Sequence, residues 1–331
     1  MKEICIGFND AGRRLDRFLR KYLHNASLSQ IYKIIRKDVK IDGKRRDEAY
    51  MLKEGEVMSL YLSDEDFEMF AARSLKGSGE KRAKKQFKIV YEDENILICD
   101  KPFGLLTHGD ATEKKNHLAN QVKDYLIERG DFSPRDEKVF APAPANRLDR
   151  NTTGLVLFGK NAASLKALNQ MIREDLINKY YLTIVHGSID SESKLVGKLN
   201  KDSAINKVNI SNDDGVDIET IVRPIEKLGR NTTLVEVELV TGRSHQIRAH
   251  LASIGHPIIG DSKYATNKAR ALNRYFAEEC GLSTQLLHAY RLEIGNSNTC
   301  LDYLSGKQFK AELPKDFMNI LNNLGGKYER E

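Results

Sequence analysis

No stretch of this sequence approaches the ~18 consecutive apolar residues that a membrane-spanning helix needs, so no span is expected. The opening residues, Met1 to Asp10, hold no long apolar run, and no secretory signal is expected there. Cysteine is scarce. Cys5, Cys99, Cys280 and Cys300 are scattered and form no Cys-x-x-Cys pair. A disulfide framework or a cysteine zinc site is therefore not expected, and the cytoplasm is the expected compartment. Two nucleotide-binding signatures are also missing. There is no Gly-x-Gly-x-x-Gly, and although Gly104 to Gly109 has phosphate-loop spacing, Asp110 stands where the lysine belongs. His245 and His250 stand five apart, not in a His-Glu-x-x-His pair, so no metal is expected.

What is present is ordinary globular material: 331 residues, 40% hydrophobic and 30% charged. That length suggests about two domains, with enough chain to bury a core without disulfides. The charge is unevenly placed. Between Arg13 and Arg46, 12 Lys/Arg face 3 Asp/Glu, a local +9 in a chain of net +6, so the remainder carries −3. Such a concentration suits a surface that meets phosphate, and equally a solvated helical face.

Residues 1–62 read as a small module. Leu15, Phe18, Leu19, Tyr22 and Leu23 form one apolar stripe on a helix over Arg14 to Asn25. A second helix starts near Ser27 or Ser29, with Leu28, Ile31, Ile34 and Ile35 inward. Short strands follow around Val39 to Ile41 and Val57 to Leu62, with an Asp42-Gly43 turn between. Residues 63–86 read as a flexible charged linker, acidic at first, glycine-bearing, then basic. Residues 87–331 read as one α+β domain with a mixed, largely antiparallel sheet. Its strands are expected at Lys88 to Tyr91, Ile96 to Cys99, Leu155 to Phe158, Tyr180 to Val185, Ile218 to Pro224 and Thr233 to Leu239. Helices are expected at His117 to Glu128, Ala162 to Asp175, Ser244 to Ile254 and Ala269 to Glu279.

The informative segment is Asn146-Arg-Leu-Asp149-Arg150-Asn-Thr-Thr-Gly154-Leu. Arginines on both sides suit an aspartate that must act as an anion, either as nucleophile or as base. A structural ion pair at a strand end explains the same residues. Four further segments change that balance: Lys179-Tyr-Tyr-Leu-Thr-Ile-Val-His-Gly187, Thr241-Gly-Arg-Ser-His-Gln-Ile-Arg-Ala-His-Leu251, Gly255-His-Pro-Ile-Ile-Gly-Asp261 and Leu287-His-Ala-Tyr-Arg-Leu292.

Together, in this order, the five segments resemble the motifs of RluA-type pseudouridine synthases, and in particular the members that act on the large ribosomal subunit. The resemblance covers roughly Phe87 to Leu321. The module at residues 1–62 resembles the small RNA-binding domain first described in ribosomal protein S-four. Asn146 departs from the family histidine, Thr153 from its serine and Thr183 from its alanine. Asn146 cannot ionise near neutral pH, so no proton-transfer role is expected there.

The resemblance implies an isomerase that turns specific uridines of large-subunit ribosomal RNA into pseudouridine, without cofactor or metal. Asp149 is then the essential nucleophile or base. Tyr181 matches the tyrosine that stacks on the uracil and takes the proton from the ring carbon. Arg248 matches the arginine that pairs with the aspartate, with Arg243 as the alternative for that role or a phosphate contact. Arg147 matches the residue that fills the gap left by the flipped base. His245, His250 and His288 read as packing residues. On the module, Arg13, Arg14, Arg17, Lys33, Arg36 and Lys37 are expected to contact RNA through backbone charge and shape. A synthase acting on transfer RNA and a non-catalytic ribosome-assembly factor are the competing readings, and the sequence names no protein partner.

Overall fold

The computed structural model describes residues 1–71, 84–134, 137–202, 207–211 and 215–327, with backbone alone at 201, 202 and 207. The amino-terminal module contains β1 (Lys2–Cys5), α1 (Leu15–Tyr22), α2 (Leu28–Asp38), β2 (Val39–Ile41) and β3 (Val57–Leu60), its strands ordered β1-β3-β2 and antiparallel. The apolar stripe of α1 buries Leu15, Phe18 and Leu19. Ser27 caps α2 in a reciprocal box with Gln30, which ties two otherwise orphaned amides. Ile31, Ile34 and Ile35 turn inward, but Leu28, expected with them, sits in the first turn and is exposed.

The expected linker is partly wrong. Its first residues form α3 (Asp64–Ala71). The Ser63 hydroxyl accepts the Asp66 amide at 3.0 Å, and three acidic residues occupy the first turn, where the helix dipole favours anions. Phe67 and Phe70 pack onto the module core. Acidic composition suggested solvent, whereas two phenylalanines at helical spacing decide the structure. Residues 72–83 of the expected linker lie outside the described residues.

The module rests against the larger domain. Val139 packs into the module's core. Asn9 accepts the Ala162 amide at 2.9 Å and donates to Glu137 at 2.5 Å.

The larger domain runs β4 (Lys88–Glu92), β5 (Ile96–Lys101), α4 (Leu118–Arg129), β6 (Ala143–Pro144), β7 (Thr153–Gly159), α5 (Ala162–Arg173) and β8 (Ile177–His186). It continues through β9 (Ser193–Asp202), β10 (Lys207–Ser211), β11 (Val216–Leu228), β12 (Thr232–Leu239), α6 (Gln246–Ser253), α7 (Asn267–Cys280), β13 (Leu287–Ile294), β14 (Gln308–Lys310) and α8 (Lys315–Asn323). Among the described residues these strands make one 11-stranded sheet, ordered β10-β9-β11-β12-β8-β13-β7-β5-β4, with β14 beside β13 and β6 beside β7. Among the described residues only the β7–β13 pair is parallel, so the domain is α+β with a largely antiparallel sheet. Among the described residues no helix is long and apolar enough to cross a membrane.

Strand alternation sends neighbouring side chains to opposite faces. On β8, Tyr181 joins Val237, Ile247 and Leu251 on one face, while Tyr180 joins Leu182, Phe276 and Phe317 on the other. One glycine is indispensable to the sheet. Gly154 has φ +110°, and a Cβ there would lie 2.1 Å from the Ala289 carbonyl oxygen. Only glycine lets β7 and β13 meet this closely just after Asp149.

Candidate active site

Asp149 sits in the turn between β6 and β7, and the turn is pinned on both sides of it. The Thr107 hydroxyl donates to the Leu148 carbonyl at 2.9 Å and accepts the Leu148 amide at 3.1 Å. Lys101, fully buried at the end of β5, donates to the carbonyls of Leu105 at 2.7 Å, Arg150 at 3.0 Å and Pro102 at 3.2 Å. Burial draws the Lys101 pKa down to about 7, the nearby Asp149 charge opposing. Asn146 accepts the Leu157 amide and donates to the Leu155 carbonyl. Its amide is thus committed to β7 backbone, a positioning use open to asparagine. Thr153 bonds to His288 Nδ1 at 2.7 Å.

Across the cleft, α6 brings two more groups to Asp149. The Arg248 guanidinium is held by the fully buried Asp261 through Nε at 2.7 Å and Nη2 at 2.9 Å. This bidentate fork fixes its plane and leaves Nη1 3.7 Å from Asp149 Oδ2. His245 Nε2 lies 3.8 Å from the same oxygen. His245 is the N-cap of α6 with φ +56°, a left-handed backbone unusual outside glycine. Its Nδ1 meets the Tyr264 hydroxyl at 3.1 Å, and that hydroxyl accepts the Val208 amide at 3.0 Å. The Tyr264 contact occupies Nδ1 and leaves Nε2 as the ring nitrogen that faces Asp149. Burial lowers the His245 pKa, with Asp149 opposing. Tyr181 is buried beneath, and burial first, then the Asp149 charge, raise its phenol above the ordinary value.

Asp149, Tyr181, Arg248, Arg147 and Arg243 all line one cleft of about 720 Å³. Its wall carries Arg147, Arg173, Lys179, Arg243 and Arg248 against Asp149 and Asp175, a surface suited to a polyanion. The sequence expectations need two corrections. The flanking Arg150 turns away to Asp110 at 4.0 Å, so the charge facing Asp149 comes from Arg248. His245, expected as packing, belongs to the site. Its left-handed cap is a feature that sequence does not display. Arg147 and Arg243 are exposed on the cleft.

The module residues lie apart from this cleft. Arg17, Lys33, Arg36 and Lys37 are exposed, with Lys33, Arg36 and Lys37 on one side of α2. Arg13 is half-buried, and Arg14 is tied to Asp16 at 3.0 Å, so these two offer less free charge than expected. Among the described residues no group of three His, Cys, Asp or Glu side chains is placed to hold a metal ion.

Residues 95–253 match the family model described as RNA pseudouridylate synthase. "Ribosomal large subunit pseudouridine synthase C" of Vibrio cholerae serotype O1 is 31% identical over 290 residues, covering 86% of this chain and 85% of the relative. The Escherichia coli K12 protein of the same name is 31% identical over 325 residues, covering 96% of this chain and 93% of the relative. Among solved structures, "Human RNA Pseudouridylate Synthase Domain Containing 4" shares the fold with a TM-score of 0.55 at 20% identity, over 73% of this chain and 94% of that one. On these matches, the chain belongs to the RNA pseudouridylate synthase family.

Proposed function

We propose that this chain converts specific uridines of large-subunit ribosomal RNA to pseudouridine, with Asp149 as its essential residue. The observation that carries the reading is the Asp149 carboxylate, presented by a pinned turn between Arg248 and His245 in a cationic cleft. The substrate class follows from relatives named for the large ribosomal subunit that share nearly the whole chain.

In the overall reaction the bond from ribose C1′ to uracil N1 breaks, a bond from C1′ to C5 forms, and the C5 proton is lost while N1 gains one. Nothing is added, so side chains suffice. Asp149 attacks as nucleophile or removes a proton as base. Arg248, locked by Asp261, keeps the carboxylate in one orientation, so little reorganisation is needed during reaction. Tyr181 stacks on the uracil. Its raised pKa makes a standing phenolate unfavourable, so taking the C5 proton requires its own proton to leave in the same step, with Asp149 as the nearby acceptor. Arg147 at the rim fills the gap left by the flipped base, and Arg243 contacts backbone phosphate. Residues 1–62 act as an RNA-binding module, with Arg17, Lys33, Arg36 and Lys37 meeting the backbone and Arg13 and Arg14 supporting them.

The test is to map pseudouridine across ribosomal and transfer RNA from a strain lacking this protein. Loss of defined sites in large-subunit RNA is expected. Loss confined to transfer RNA would transfer the activity to that substrate, and no loss anywhere would leave an RNA-binding assembly factor.

A further inference from the structure

Tyr181 does not face the cleft alone on its strand. Lys179 stands two residues earlier on β8, so the pleat sends both side chains to one face, about 7 Å apart along the strand. Both line the cavity. Lys179 is only 7% exposed, yet no hydrogen bond or ion pair joins its ammonium to another described residue. The other buried lysines of this domain are different. Lys101 has three carbonyl partners, and Lys160 holds Glu92 at 2.9 Å and Asp131 at 3.1 Å. The Lys179 ammonium is thus offered to the cleft and not to a protein partner. Burial lowers the Lys179 pKa, and Asp175 alone offsets it.

The surroundings say what the missing partner is. Arg173, exposed in the last turn of α5, lines the same cleft. Asp175 beside it adopts φ +53°, closing the turn that leads into β8. Two cations and one exposed carboxylate, Asp175, line the cleft beside β8, a balance that suits an anion with several acceptor oxygens. A phosphodiester does so, and one must lie close to any base stacked on Tyr181. We infer that Lys179 and Arg173 form an anion subsite on the β8 wall of the cleft, gripping the RNA phosphodiester that flanks the target uridine. The inference rests on the reading of Tyr181 as the uracil platform.

The experiment measures affinity of the full chain for oligouridylate across a salt series, with Lys179→Met, Lys179→Arg and Arg173→Gln beside the unaltered protein. Methionine keeps the apolar stem and drops the charge. One lost phosphate contact lowers the slope of log affinity against log salt by about 0.7. It weakens binding about tenfold at low salt. Lys179→Arg restores most of both. Arg173→Gln, at an exposed position where folding is safe, gives a similar loss of slope. Unchanged slopes in Lys179→Met and Arg173→Gln overturn the subsite, and if Lys179→Met does not fold, an unchanged slope in Arg173→Gln overturns it alone. A Lys179→Met protein that binds normally but forms product slowly places the lysine in the chemistry and also overturns the subsite. Product formation by the unaltered protein on a large-subunit ribosomal RNA transcript is followed separately. Its absence, with slopes behaving as expected, would refute the synthase reading and leave the anion subsite standing.

Discussion

Acidification should weaken this fold through its buried imidazoles, His250 and His288 among them, and His288 can be isolated. His288 on β13 is fully buried, and its Nδ1 bonds to Thr153. Burial draws its pKa from 6.5 to about 4, with the Ala311 backbone opposing. Between those pH values the unfolded chain binds a proton that the folded chain refuses. The contribution is therefore present in full above pH 6.5 and is lost as pH falls: about 2 kcal/mol is gone by pH 5 and about 3 kcal/mol by pH 4. His288→Asn isolates the effect, since asparagine can offer its side-chain oxygen to Thr153 but cannot titrate. At pH 7 the variant should be less stable by about 1–3 kcal/mol for lost packing. Urea unfolding followed by circular dichroism at pH 7 and pH 5 gives the comparison. The advantage of the unaltered protein over the variant should shrink by about 2 kcal/mol at pH 5. An advantage that stays constant or grows would mean that His288 is charged in the folded chain, and the reasoning would fail.

Other perturbations test other parts of the account. Tyr181→Phe should bind RNA but form product far more slowly. Tyr180→Phe, which loses only a 3.0 Å bond to Glu293 on the opposite face, should cost about 1 kcal/mol of stability and little rate, and the reverse ranking would contradict the placement of β8. Replacing Lys33, Arg36 and Lys37 together by glutamine should lower the salt slope of ribosomal RNA binding by up to about 2, whereas an unchanged slope would make this face merely solvated. Asp261→Asn should destabilise the protein by about 3–5 kcal/mol, because it leaves Arg248 buried with its fork unpaired. It should also slow turnover, and a stable, fully active variant would remove Asp261 from the design.

Local signals and non-local ones fared differently in the sequence. The stripe of α1, the Ser27 cap and the alternation of β12 are written in neighbouring residues, and each element forms where its pattern lies. The pair of β9 and β10 is rich in lysine and asparagine, which hides its strands in the sequence, and β9 is paired on both sides, by β10 and β11. Strand β13 and helix α8 were not read as elements either. The first is interrupted by polar residues, and the second gains its meaning from Phe317 and Ile320 packing with Phe276 of α7. In the site, the motif residues Asp149, Tyr181 and Arg248 were legible, whereas their supports were not. Lys101 grips a carbonyl 49 residues away, Thr107 grips Leu148 41 residues away, and His245 owes its place to a left-handed turn. Such contacts depend on the folded path of the chain, not on spacing along it.

The central claim is that Asp149 carries the reaction, and Asp149→Asn tests it most directly. The amide is nearly isosteric but can neither attack carbon nor accept a proton, and it keeps polar contact with Arg248 Nη1 and His245 Nε2. Pseudouridine formation on an unmodified large-subunit ribosomal RNA transcript is measured under single-turnover conditions, with RNA affinity measured in parallel. The account predicts intact binding and no detectable product; retention of even about a tenth of the rate, a barrier change of only about 1.4 kcal/mol, would contradict it.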